Sequence, residues 1–133
     1  MLPKIIATPE EIQDQLIEIQ EFMERTYDAD NIGAVIDRAT RIEVYMTNTS
    51  KLLADAKWHY SDVFEQGFIK AMKETSKFQA STTNLYLKSL VKNFTYLVDW
   101  ADRLNAACTH QLDFARTLIS KIKAEMQNHQ YTT

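Results

Sequence analysis

Apolar residues recur along two segments of this chain in alternating steps of four and three. The first row is Val35, Ala39, Ile42, Met46, Thr49, Leu53, Ala56, Tyr60, Val63 and Gly67; the second is Leu87, Leu90, Phe94, Leu97, Ala101, Leu104, Cys108, Gln111, Ala115, Leu118 and Ile122. A seven-residue repeat held over that distance, with no proline inside it, predicts two very long helices meeting along a seam. The polar stretch from Ser76 to Thr83 is the expected turn, and so short a link folds the pair back antiparallel as a coiled-coil-like hairpin.

A shorter helix is expected ahead of them. Thr8-Pro9-Glu10-Glu11 reads as a start signal, with Thr8 as cap, Pro9 in the first helical position and Glu11 placed to close a capping box. Ile12, Leu16, Ile19 and Met23, with Phe22 beside them, form its apolar stripe, and Tyr27-Asp28-Ala29-Asp30-Asn31 breaks the pattern. Asp30 or Asn31 can cap the second helix and Ser81 or Thr82 the third. The predicted helices span about residues 9–26, 31–75 and 83–127, with 128–133 as a frayed tail. The expected fold is thus all-α, a three-helix protomer in one domain, 1–133.

Composition supports this reading. Two glycines and two prolines in 133 residues leave little punctuation for strands and tight turns, and 45% hydrophobic content is enough for one real core. The single cysteine, Cys108, sits on the apolar repeat, which fits a small core residue and rules out an intramolecular disulfide. The opening Met1-Leu2-Pro3-Lys4-Ile5-Ile6-Ala7 is too short an apolar stretch for a signal-peptide core, and no run is long enough to span a bilayer. A cytoplasmic protein with no membrane contact is the expectation.

The apolar surface exceeds what a two-helix seam uses. Beside the main row of the third helix runs a second, Val91, Val98, Asn105, Leu112, Ile119 and Met126, again spaced by seven; Tyr45 and Leu52 flank the second helix, and Phe64 and Phe68 lie near its far end. The first helix covers less than half of the hairpin, so a homo-oligomer, most simply a dimer with a four-helix core, is expected to cover the rest through that second row. Thr49, Asn105 and Gln111 place polar groups on the seam, where such residues commonly set register or oligomer state.

Signatures of chemistry are sparse. The positions three before His59, His110 and His129 are Ala56, Ala107 and Met126, so no Glu-x-x-His metal pair exists. Asp55, His59 and Asp62 share a helix face, as do His110 and Asp113, but such spacings are ordinary surface pairs. There is no glycine-rich phosphate loop, nucleophile elbow or Cys/His metal spacing. An enzyme is not expected, and neither a catalytic residue, a metal nor a cofactor is assigned.

Charge is unevenly spread. From Thr8 to Asp30 eight acids face Arg25 alone, a net of minus seven; from Phe68 to Lys92 five lysines, Lys70, Lys73, Lys77, Lys88 and Lys92, face Glu74 alone, a net of plus four. With Phe64, Phe68, Phe78 and Tyr86 nearby, the turn region has the lysines and rings that a single-stranded nucleic-acid surface uses. The whole chain is nevertheless acidic, at minus three. The leading expectation is a non-enzymatic helical interaction or scaffold module that self-associates and binds a protein partner. The alternative is an accessory nucleic-acid factor, a helper of recombination or packaging such as phages and mobile elements encode, with Lys70, Lys73, Lys77, Lys88, Lys92, Tyr86 and Phe78 as contacts.

Overall fold

The computed structural model describes residues 5–74 and 79–132, with side chains as far as His129. Among them are four helices and no strand: α1 (Pro9–Glu24), α2 (Ile32–Glu74), α3 (Ala80–Leu90) and α4 (Lys92–Thr132).

The start of α1 follows from its first four residues. The Thr8 hydroxyl accepts from the Glu11 amide at 3.1 Å and donates to the Glu11 carboxylate at 3.2 Å, so one side chain satisfies an orphan donor and engages the next. Its stripe Ile12, Leu16, Ile19 and Met23 is buried. Asn31 rather than Asp30 caps α2, its amide oxygen accepting from the Ala34 amide at 3.1 Å.

Helix α2 runs antiparallel to α4, and to the end of α3, as four contacts in reverse order show. Arg38 meets Gln111, Met46 meets Asn105, His59 stacks on Phe94 and Gly67 faces Leu90. A Cβ on Gly67 would lie 2.5 Å from Leu90 Cδ1, so a larger residue there would have to displace the tip of the Leu90 side chain.

The expected third helix is two. It breaks at Val91, whose backbone (φ −96, ψ 4) leaves helical geometry for one residue. Neither glycine nor proline is involved. The Val91 carbonyl accepts both the Thr95 amide at 2.8 Å and the Thr95 hydroxyl at 3.1 Å, a bond that Thr40, Thr47 and Thr117 also make inside unbroken helices. The helix also starts earlier than expected, at Ala80 after Gln79, so Ser81 and Thr82 are helical residues and not caps. At the other end α4 continues to Thr132, so residues 128–132 are helical; no glycine or proline stands there to stop it.

The first helix packs beside α2 from near its start to past its middle. It lies along the middle of the α2/α4 pair, from the Met23 carbonyl at Arg38 to the Ala7 carbonyl at His59, with Trp100 Nε1 donating to Gln20 Oε1 between them. Its first turn therefore faces the α2/α3 end of the molecule, because α1 runs antiparallel to α2. With Arg38 opposite Gln111, α4 from about residue 120 onward runs past the start of α2, and residues 123–129 are all exposed.

Candidate interaction surface

Most of the titratable residues singled out from the sequence are engaged structurally, and Asp55 and His59 meet at the backbone of Ala7. Asp55, 5% exposed, accepts the Ala7 amide at 3.0 Å and pairs with Lys51, whose ammonium also holds the Ile5 carbonyl at 2.7 Å. His59 Nε2 lies 2.7 Å from the Ala7 carbonyl oxygen. Asp62, by contrast, accepts the Gln66 side-chain amide at 3.1 Å. The first two residues thus fasten the strand of backbone leading into α1. On α4, the Asp113 carboxylate sits 3.2 Å from Arg116, and both groups are exposed, as is His110. Among the described residues no group of three or more His, Cys, Asp or Glu side chains could hold a metal ion, and no helix is long and apolar enough to cross a membrane.

The polar seam residues have partners. Asn105 Nδ2 lies within 3.0 Å of the Met46 carbonyl, the Thr49 hydroxyl and the Ser50 hydroxyl. Gln111 accepts from Arg38 at 2.9 Å. Cys108 is buried and reduced, and desolvation pushes its thiol pKa up.

Arg38 was not legible as important, and it is the most heavily bonded side chain of the protein's middle. It is 9% exposed, donates to the carbonyls of Phe22, Met23 and Arg25, and lies over the rings of Phe22 at 5.1 Å and Tyr27 at 4.5 Å. The last turn of α1 has no base of its own, so Arg38 supplies the positive charge that its carbonyls favour. A signal existed: Tyr45 and Leu52 flank α2, and the same step of seven extended backward reaches Arg38 and forward reaches His59.

The row expected to join two copies is partly used within the chain. Val91 and Leu112 are buried, Val98, Asn105 and Ile119 are half-buried, and Met126 alone is largely exposed. Burial against the chain's own helices removes Val91 and Leu112 from any surface open to another copy. Ser50, a partner of Asn105, lies about 140° round α2 from Tyr45, which packs on Phe22 of α1.

Part of the uncovered apolar surface lies where α1 does not reach, and the rest is spread over the other helices, as at Val44, Tyr96 and Phe114. On α2 and α3 near their junction, Phe64, Phe68, Ile69, Met72, Leu85 and Tyr86 are 38% to 70% exposed. Phe64 stacks on Tyr60 with centroids 6.2 Å apart. Lys70, Lys73, Lys88 and Lys92 are exposed among them, while Lys77 and Phe78 lie outside the described residues. Lys70 and Lys73 come together at an open recess of about 290 Å³, lined also by Gln66, Ile69 and Glu74. All eight acids of the Thr8 to Asp30 segment are exposed, giving α1 an acidic outer face. Comparison with protein-family models, curated proteins and solved structures gave no match.

Proposed function

We propose that this chain is a non-enzymatic helical interaction module, a coiled-coil-like hairpin that self-associates and binds a protein partner. The observation that carries the reading is the group of large apolar side chains left uncovered on α2 and α3, Phe64, Phe68, Ile69, Met72, Leu85 and Tyr86. Phe64, Phe68 and Met72 follow one another at steps of four along α2, and an uncovered apolar stripe of this kind marks an interface more often than idle surface. The second part of the contact surface is the stripe of α4 that continues past the start of α2, with Ile119 and Ile122 half-buried and Met126 exposed. Sedimentation velocity on the full chain and on a Phe64→Ser/Phe68→Ser variant tests this. Faster sedimentation of the parent, lost in the variant while its helical circular dichroism is kept, is the expected result; identical monomeric behaviour of both would overturn it.

A second reading rests on a different feature of the same region. Exposed lysines lie beside the exposed Phe64, Phe68 and Tyr86 rings, the combination of phosphate-neutralising charges and stacking faces that suits a single strand of nucleic acid. Binding of a labelled thymidine strand that weakens steeply with salt, and is lost on changing Lys73, Lys77 and Lys88 to Glu, supports this reading. Absent or salt-independent binding ends it.

A further inference from the structure

We infer that the end of α4, from about residue 120, docks on a second copy of this chain, in the trough between α1 and α4 of that copy. This deepens the self-association reading and rests on it, because it names where the second part of the contact surface lands.

The end of α4 is a helix that has run past its neighbour. Helix α2 begins at Ile32 and its Arg38 stands opposite Gln111, so the last stretch of α4, about 20 Å long, has no α2 beside it. A helix that short is marginal in water by itself. It keeps an apolar stripe all the same: Ile119, Ile122 and Met126 share one face at steps of three and four, the first two half-buried and Met126 54% exposed. Arg116 and Lys123, seven residues apart and both exposed, run beside that stripe. From Arg116 to His129 three bases, Arg116, Lys121 and Lys123, face Glu125 alone, a net of plus two.

The trough is built by two helices. Near the start of α1 it is an open cleft of about 460 Å³, with Pro9, Glu10 and Gln13 on one wall and Asn93, Tyr96 and Leu97 on the other. Further along, Trp100 Nε1 donates to Gln20 Oε1 at 3.2 Å, and the Trp100 and Tyr96 ring centroids are 5.8 Å apart. Ile17, which shares a face of α1 with Gln13 and Gln20, is 38% exposed, and Tyr96 is 66% exposed. The step of seven along α4 leads from Trp100 through Ala107 to Phe114, 54% exposed. Helix α1 is about 24 Å long, so the trough can take the whole α4 end. A trough between two packed helices is the shape into which a third helix fits.

Charge selects the occupant. Helix α1 carries six acids and no base, and Glu10, Ile17 and Glu24 step by seven along the rim of the trough. An apolar stripe flanked by bases therefore meets an apolar trough edged by acids; burial supplies the affinity and charge fixes the register. The other uncovered apolar region, at the α2/α3 junction, carries exposed lysines and repels the basic end. The contact is reciprocal. Two antiparallel copies each lay the α4 end in the other's trough, which closes a two-fold dimer.

Charge exchange tests this, by sedimentation equilibrium on the full chain, on Glu10→Lys/Glu24→Lys, on Arg116→Glu/Lys123→Glu, and on an equimolar mixture of the two variants. All four positions are exposed, so both variants should keep their fold, which circular dichroism checks. Each variant alone is expected to associate about tenfold or more weakly than the parent. The mixture is expected to regain the parent's association, because every α4 end then meets a trough of opposite charge. Variants that associate as the parent does, or a mixture as weak as its components, would overturn the proposal. A parent that stays a single chain at every concentration removes the self-association reading and this contact together. Association that depends on Phe64 and Phe68 but ignores the four charges sinks this contact alone.

Discussion

Arg38 on α2 donates to the side-chain oxygen of Gln111 on α4 at 2.9 Å, and the same guanidinium collects the backbone carbonyls that end α1. One side chain therefore ties three helices together at the point where the first of them stops. Its Nε is buried and meets no acceptor among the described residues, so the arrangement is stabilised by the two terminal nitrogens and the flanking rings.

Replacing Arg38 should be among the more costly single changes in this protein. Arg38→Ala leaves the α1 carbonyls and Gln111 without their donor, and a loss of about 3 kcal/mol is expected in urea unfolding. Arg38→Lys should recover only part of it, because a single ammonium cannot span carbonyls and amide together.

Asn105 should matter far less to stability. The Thr49 and Ser50 hydroxyls already donate to the Met46 carbonyl, so Asn105→Ala strands no buried charge and leaves those groups bonded. About 1 kcal/mol is the expected cost, read from the same urea transitions.

The tether before α1 offers a local measurement. Asp55→Ala removes the acceptor of the Ala7 amide and the partner of Lys51. The Ala7 amide should then exchange hydrogen much faster while the α2 and α4 amides keep their protection, with about 2 kcal/mol lost overall.

Cys108 makes a prediction with a definite sign. Burial raises its thiol pKa in the folded chain above the unfolded value, so the folded state holds that proton more tightly. The linked stability is fully present below the ordinary thiol range of about pH 8.5 and is lost as pH rises through it. Urea titrations at rising pH should show this decline, and Cys108→Ala should lack that part of it. Aromatic disulfide reagents should label the thiol only as fast as the chain opens.

Much of the fold could be read from the residues because it rests on local rules. The Thr8-Pro9 start, the α1 stripe and the two long rows follow from spacing and capping alone, and the structure has helices at each. The break at Val91 could not be read so, since neither glycine nor proline marks it. The role of Arg38 was equally hidden: it requires knowing that residues 25–31 bring the end of α1 over α2. The same is true of the candidate surface. Lysines and aromatics near residue 70 were visible as a cluster, and Lys70 and Lys73 share a recess because residues three apart lie on one helix face, but that α1 stops short of them was not visible.

Light scattering during size-exclusion chromatography, on the full chain over a dilution series at low and high salt, addresses the central claim most directly. The account predicts a mass that is a multiple of 15.4 kDa and resists salt, because the uncovered surface is apolar. A mass of one chain at every concentration would contradict it.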